Sequence, residues 1–211
     1  MGKFTVKRIC VDGMLAAIYI VLSVASFSVA PNVQIPFAGL AIVVTAIGFG
    51  APDAIIIATI GAFLSQLRSS YGLTVTTPLW MIPPILRAVV VGLVAFIYRK
   101  KGSYLEEHPV ATFITVISAA ILVTSANTLV MWLDSVIIGY AYQWVVATTF
   151  IRFGVGIAEA IAIAAITLPL MKALRKAGLL APTQKQSLKE EIENNTENVG
   201  DFEKGNAESQ Q

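Results

Sequence analysis

The stretch Val110–Leu133, VATFITVISAAILVTSANTLVMWL, contains 24 residues and no charged side chain. An α-helix rises about 1.5 Å per residue and the hydrocarbon core of a bilayer is about 30 Å thick, so about 20 such residues suffice to cross it. The stretch therefore predicts a transmembrane helix. The whole chain fits this prediction, since 56% of its 211 residues are hydrophobic and 13% are charged. In a soluble domain about a quarter of the residues are charged.

Similar apolar stretches on either side give six predicted helices. They cover approximately residues 10–30, 37–49, 54–66, 79–98, 110–133 and 147–173. The second and third meet at the turn Gly50–Asp53 and are short for a full span, so they could equally form one re-entrant or tilted hairpin. The predicted fold class is an all-α integral membrane protein with six transmembrane helices.

The basic residues predict how these helices are oriented. They concentrate within residues 3–8, 99–101 and 172–176, which fall on one side of a six-span bundle. The loops on the other side carry one basic residue, Arg68. The positive-inside rule therefore places both termini in the cytoplasm. Three parts follow: an N-terminal cytoplasmic segment (1–9), the membrane domain (10–176) and a polar cytoplasmic tail that is predicted to be disordered (177–211).

Composition argues against several classes of function. The net charge of +2 gives no basis for nucleic-acid binding. The single cysteine, Cys10, cannot form an internal disulfide, and no Cys/His cluster has the spacing of a metal site. The only histidine, His108, lies in a polar loop, and the predicted spans lack clustered carboxylates or Ser/His pairs, so no catalytic site is predicted. The chain also lacks a Gly-x-x-x-x-Gly-Lys-Ser/Thr phosphate loop, so ATP-driven work would need an ATPase on another subunit.

Amides, hydroxyls and aromatic rings concentrate at the predicted outer ends of the helices. They could form one small-molecule pocket, because such pockets combine apolar walls with a few directing polar groups. The alternative is an interfacial belt of Trp and Tyr with solvated loop amides. The candidate substrate-binding residues at these ends are Asn32, Gln34, Gln66, Arg68, Tyr71, Thr76, Thr77, Trp80, Asn127 and Trp132.

Three charged residues lie inside predicted spans, where an unpaired charge is costly. Arg87 in the fourth helix and Glu159 in the sixth have similar depths, which predicts that they could form an ion pair. One interpretation is a purely structural pair between the two helices. In the other, Arg87, Arg152 or Arg68 meets an anionic ligand group, because a guanidinium can hold a carboxylate with two hydrogen bonds. Arg87 and Arg152 are therefore added to the candidate substrate-binding residues.

Segments distributed over residues 8–175 carry a resemblance to a known family. They are Gly13–Ala17, Asn32–Pro36, Gly48–Asp53, Gly61–Gln66, Tyr71–Trp80 and Ile82–Ala88. Together they resemble the substrate-binding S component of an energy-coupling factor (ECF) vitamin transporter. Two departures from the family's usual segments are Ala51, which comes before Pro52, and Ala88, which stands where the family often has glycine.

The resemblance implies a fold, a mechanism and partners. It implies a six-helix protein of the bacterial plasma membrane that binds a vitamin at its outer face, under the loops between helices. It implies that the chain is not an enzyme and docks on a transmembrane coupling protein and two ATPase subunits, which would bind ATP and Mg. The implied docking surface is the small-residue face of the first helix, at Gly13, Ala16 and Ala17, where small residues permit close helix contact.

The resemblance also gives a first choice of ligand. The region from Ser65 to Trp80 looks most like the S components for pantothenate, whose carboxylate, amide and hydroxyls would match an arginine with amides and threonines. Folate, hydroxymethylpyrimidine, pyridoxine and cobalamin stay open as ligands. Two other classes of function also stay open: a self-sufficient secondary transporter, which would couple to an ion through buried carboxylates, and a membrane scaffold without a ligand.

Overall fold

The computed structural model describes residues 6–25, 27–30, 33–35, 37–67, 73–139 and 143–180. Six α-helices and one two-stranded hairpin make up this part of the chain. The helices are α1 (Val6–Val24), α2 (Ala38–Gly48), α3 (Ala51–Leu67), α4 (Thr77–Lys100), α5 (Pro109–Ile138) and α6 (Gln143–Lys176); the strands are β1 (Phe27–Ala30) and β2 (Val33–Ile35). A short 3₁₀ helix, Leu105–Glu107, precedes α5.

The helices differ in whether they are long enough to cross a membrane. Within the described residues, Thr77–Lys100, Pro109–Ile138 and Val146–Lys176 are long and apolar enough to do so. The other three helices are apolar but shorter. The 11 residues of α2 extend over about 16 Å, roughly half of the hydrocarbon thickness. The six predicted helices are therefore present, whereas six crossings and cytoplasmic termini remain predictions.

The first loop contains a β-hairpin where the sequence had predicted helix. Helix α1 ends at Val24 instead of continuing to residue 30, and β1 pairs antiparallel with β2, with Phe27 opposite Ile35 and Ser28 opposite Gln34. Pro31 cannot continue a helix. The segments on either side of it alternate apolar and small or polar residues, a pattern that suits strands. The prediction that the first helix continues to residue 30 was therefore wrong, although the fold as a whole is helical.

Contacts between helices give their relative directions. The ring of Tyr19 packs on Gly61, and the hydroxyls of Ser23 and Ser65 are 3.3 Å apart, so α1 and α3 run parallel. A Cβ on Gly92, in the second half of α4, would lie 2.6 Å from Cα of Ala51 at the start of α3, and Arg99 at the end of α4 reaches the carbonyls of Gly48 and Phe49 just before α3, so these helices are antiparallel. The last turns of α4 and α6 carry basic residues, and we call this side of the domain the basic end. The hairpin follows α1 on the opposite side, the hairpin end.

Helix α2 is the centre of the buried core. It packs on α1, α3, α4 and α6, and nine of its 11 residues are buried. Around it the buried residues of the other helices are mostly small, as with Ala54, Ala88 and Ala164. Small side chains let helix backbones approach closely where no water drives the packing. Large apolar side chains instead point outwards from α4, α5 and α6, as expected of a surface that faces lipid.

Arginines fix the basic end. The guanidinium of Arg99 donates hydrogen bonds to the last carbonyls of α2, at Ile47, at Gly48 (2.8 Å) and at Phe49 (3.5 Å). A cation at these carbonyls also offsets the negative end of the helix dipole. Arg175 donates to Oε1 of Glu106 from its Nε at 2.6 Å, and its guanidinium lies 4.0 Å from the centre of the Tyr104 ring.

The chain turns back on itself after α6. Gly178 has a φ of +67°, its N–H bonds the carbonyl of Arg175 at 2.9 Å, and the Leu179 N–H bonds the carbonyl of Leu174 at 3.1 Å. This is a Schellman turn. It brings the side chain of Leu180 against Gly48 at the end of α2. Leu180, the fourth residue of the predicted tail, is thus packed on the domain, and residues 181–211 lie outside the described part.

Candidate functional site

An ion pair joins α4 and α6 inside the bundle. Nη1 of Arg87 lies 3.0 Å from Oε1 of Glu159, and the two side chains are 14% and 8% exposed. The prediction of this pair, made from the depth of the two residues, is confirmed. Each charge is neutralised by the other, which lowers the cost of holding them within an apolar domain.

The guanidinium of Arg87 lies directly on the first turn of α2. A Cβ on Gly39 would be 1.5 Å from Nη1 of Arg87 and 3.0 Å from Cδ1 of Ile163, so only glycine leaves room for the guanidinium. The N-cap residue of α2, Phe37, makes no side-chain capping bond, and the first turn holds no acidic residue. The ion pair is therefore placed at a helix N-terminus that has no side-chain cap of its own.

Tyr19 brings α1 into the same cluster. Its side chain is buried against Gly61, and its phenol interacts electrostatically with both Arg87 and Glu159. Helices α2, α4 and α6 thus meet at one cluster, Gly39–Arg87–Glu159, and Tyr19 of α1 lies within electrostatic range of its two charges. Sequence analysis identified Arg87 and Glu159 but missed Tyr19 and Gly39, because nothing in a linear pattern shows which helices face each other.

A second polar surface lies between α5 and α6, nearer the hairpin end. Arg152 on α6 donates to the sulfur of Met131 on α5. One turn further into the bundle, a Cβ on Gly156 would be 2.8 Å from Oγ1 of Thr124. Asn127 is half-buried and lies three residues after Thr124 and four before Met131, so it shares their side of α5. The predicted residues Asn127 and Arg152 are thus placed on facing helices.

The predicted residues at the start of α4 make hydrogen bonds within their own turn. The Thr74 N–H donates to Oγ1 of Thr77 at 2.9 Å, and the hydroxyls of Thr74 and Thr76 are 2.9 Å apart. Thr76 and Thr77 are both buried. Their hydroxyls therefore shape the entry into α4, and a ligand could use only the hydrogen-bonding capacity that this turn leaves.

The remaining predicted substrate-binding residues do not form one cluster. Trp80 and Gln66 are half-buried at the hairpin ends of α4 and α3, whereas Trp132 is 45% exposed on α5, which suits an interfacial belt. The structure gives only the backbone of Gln34, in β2. Asn32, Arg68 and Tyr71 lie outside the described residues.

The predicted docking residues on α1 do not share one surface. Gly13 and Ala17 are exposed, and a Cβ on Gly13 would meet no atom within 4 Å. Ala16 instead faces the core and is buried. The open face of α1 also carries large apolar side chains, among them Met14 and Val21.

Comparison with known proteins decides the family. Residues 3–176 match the family model of the S component of ECF-type riboflavin transporters. The chain belongs to that family. The fold agrees, since a solved S component of a bacterial ECF transporter superposes with a TM-score of 0.59 at 20% sequence identity. The superposition covers 81% of this chain and 96% of the solved one. Curated protein sequences give no match.

Membership settles the general role of this S component. ECF S components are membrane-embedded transport subunits, not enzymes, and as a family they work with a module that contains a coupling protein and ATPases. The expected pantothenate type is not supported, since the matching family is that of riboflavin transporters. Riboflavin was absent from the ligands considered from the sequence.

Proposed function

We propose that this S component binds riboflavin at the hairpin end and hands it to an ECF module for import. The observation that carries the proposal is that cationic and anionic side chains are equal in number near the hairpin end. Among the described side chains between the ion pair and the hairpin end, the cations Arg87 and Arg152 are matched by the carboxylates Glu159 and Asp134. Riboflavin is uncharged at neutral pH, whereas pantothenate and folate are anions that would need an excess of positive charge.

The groups between α5 and α6 suit the two halves of riboflavin. Its flat ring system needs an apolar slot, and its ribityl chain needs several hydrogen-bonding partners. Thr124, Asn127 and Thr128 offer hydroxyls and an amide along one side of α5. Arg152 faces them from α6 and would donate to a ring carbonyl. Trp80 at the start of α4 provides an aromatic surface for stacking.

Direct titration tests the ligand. Addition of riboflavin to the detergent-solubilised protein is expected to quench flavin fluorescence and saturate at one flavin per chain. Excess pantothenate, folate, hydroxymethylpyrimidine, pyridoxine or cobalamin should not displace the flavin. Displacement by pantothenate or folate, or no quenching at micromolar riboflavin, would overturn the assignment.

Arg152 is the side chain that we expect to matter most for affinity at this surface. The change Arg152→Ala should raise the riboflavin Kd about tenfold or more, because it removes a charged donor from a site with little water. Lys172→Ala, which removes an exposed cation at the basic end, is the matched control and should leave the Kd unchanged. An unchanged Kd in Arg152→Ala would remove this residue from the site.

For partners, we propose that Gly13 and Ala17 contact the transmembrane coupling protein, while the two ATPase subunits bind ATP and Mg. Ala17→Leu should abolish riboflavin uptake by proteoliposomes that contain the complete transporter, because a large side chain keeps a neighbouring helix away. Riboflavin binding should be retained. Ala165→Leu on the exposed side of α6 is the control. Uptake by this chain alone would instead indicate a secondary transporter.

A further inference from the structure

Helix α4 contains two consecutive prolines, Pro83 and Pro84, in its second turn. In an α-helix the carbonyl of residue i accepts a hydrogen bond from the N–H of residue i+4, and in a tighter 3₁₀ turn it accepts from residue i+3. For Trp80 both of these residues are proline, which has no N–H. The carbonyl of Trp80 therefore cannot be paired by its own helix in either pattern.

The neighbouring carbonyl of Leu79 is less affected. Its i+4 residue is Pro83, but its i+3 residue is Ile82, whose N–H can still form a 3₁₀ bond. A carbonyl that stays unpaired in an apolar domain is costly, so a neighbouring group, water or a ligand has to supply the missing donor. The two prolines thus leave the Trp80 carbonyl open to a donor from outside α4.

This carbonyl lies on the side of α4 that faces the interior of the bundle. Trp80, Pro84 and Arg87 have the spacing i, i+4, i+7 and therefore share one side of the helix. On that side Arg87 reaches Glu159 of α6 and the first turn of α2. Trp80 and Pro84 are both half-buried. Since helix carbonyls point along the axis towards the next turn, the Trp80 carbonyl lies beside Pro84, between Arg87 and the hairpin end.

The Trp80 carbonyl is at the same depth as Arg152. Helices α4 and α6 both run towards the basic end, and Arg87 is level with Glu159. Counting the same number of residues back along each helix leads from Arg87 to Trp80 and from Glu159 to Arg152.

The polar side of α5 reaches the same depth. The rings of Tyr98, near the end of α4, and His108, just before α5, are 5.4 Å apart at the basic end. Because the chain reverses between them, equal numbers of residues towards the hairpin end lead to Trp80 on α4 and to Ala126, beside Asn127, on α5. The open carbonyl is therefore level with the polar surface between α5 and α6.

We propose that the Trp80 carbonyl accepts a hydrogen bond from the imide N3–H of the flavin ring. This inference rests on the proposed riboflavin site at the hairpin end. N3–H is the one N–H group of riboflavin, and a ring carbonyl flanks it on each side. Arg152 would donate to one of those carbonyls, and the Trp80 carbonyl is the matching acceptor for the N–H between them. The consecutive prolines keep this acceptor free for the ligand.

A flavin that is methylated at N3 tests the hydrogen bond directly. N3-methylriboflavin lacks the donor and leaves the Trp80 carbonyl unpaired in the complex. We expect the parent protein to bind it about 30-fold more weakly than riboflavin. Quenching of flavin fluorescence measures both affinities.

Exchanging the prolines one at a time tests which carbonyl is the acceptor. Pro84→Ala supplies an N–H that the Trp80 carbonyl can accept within the helix, so the preference for riboflavin over N3-methylriboflavin should fall to about threefold or less. Pro83→Ala is the matched control. It removes a proline from the same turn, but its N–H pairs with the carbonyl of Leu79, so the preference should persist. Lost packing of a proline ring would weaken both flavins alike, so the ratio of their affinities isolates the hydrogen bond.

Infrared spectroscopy of the parent protein gives a second measurement that needs no variant. With tryptophan labelled by ¹³C at its carbonyl, riboflavin should lower the frequency of one labelled band. N3-methylriboflavin at saturation should not lower it.

Three results would overturn the inference. The first is equal affinity of the parent for the two flavins, which would leave riboflavin as the ligand but without this contact. The second is a preference that survives Pro84→Ala, because another group must then accept the N3–H. The third is a tryptophan carbonyl band that riboflavin does not shift; this decides the matter if Pro84→Ala does not fold. If neither flavin binds the parent, the proposed function fails and this inference with it.

Discussion

At the scale of single residues, the glycines of this domain mark where helices touch. At Gly61 the neighbour is the ring of Tyr19, and at Gly39 it is the end of a long side chain. At Gly92 the neighbour is backbone and not a side chain. The Cβ of an alanine at this position would lie 2.6 Å from Cα and 2.9 Å from N of Ala51. Backbone atoms cannot rotate out of the way, so this contact fixes how close α3 and α4 come.

We therefore expect Gly92→Ala to destabilise the domain. Forcing an extra methyl group into a closely packed contact costs about 1–3 kcal/mol, because the two helices must separate. The Tm of the detergent-solubilised protein should fall. Gly13→Ala, where the added methyl group meets nothing within 4 Å, should not lower the Tm, because alanine favours a helix more than glycine does. Equal Tm values for the two variants would show that α3 and α4 can move apart at no cost.

Single residues also show how far the sequence could predict the site. Arg87 and Glu159 could be paired in advance because each interrupts an apolar stretch and a buried charge needs a partner. Gly39 could not be found in this way, since its role depends on which side of α2 meets α4. The pantothenate type, which the comparisons do not support, was chosen for a related reason. Arginines in spans suggested an anionic ligand, but the charge of Arg87 is balanced by Glu159 on another helix.

At the scale of elements, the long helices were predictable and the first loop was not. Residues 110–133 fit an apolar span so well that α5 was placed correctly, and the helix extends beyond them only by Pro109 and by Asp134–Ile138. The hairpin residues are equally apolar, and a short apolar run can be strand or helix. Pro31 and the alternating pattern were the available signals for strands. Hydrogen bonds between the two strands decide that these residues form strands and not a helix. A prediction made from one segment at a time does not include such bonds.

Arg99 connects α4 to the end of α2 at the basic end. Arg99→Gln should lower the free energy of unfolding by about 2 kcal/mol, because the last carbonyls of α2 lose charged donors. Denaturation of the solubilised protein would measure this change. Lys101→Gln serves as the control, since that side chain is exposed and should contribute little. A loss of similar size in both variants would indicate a general effect of surface charge.

At the scale of the whole molecule, the distribution of basic residues predicts the orientation in the membrane. In a Cys10→Ser background, Gln143→Cys at the hairpin end should react with a membrane-impermeant maleimide in intact cells. Lys101→Cys at the basic end should react only after the cells are permeabilised. Both positions are exposed in the structure, so burial would not explain a difference. The reverse pattern would contradict cytoplasmic termini.

Helix α2 is held at both of its ends. Arg87 lies on its first turn, whereas Arg99 and Leu180 contact its last residues. Because both ends are in contact with other helices, α2 cannot slide along its own axis without losing contacts at one end. Movement of α2 relative to α4 and α6 would therefore have to break a contact at one of its ends.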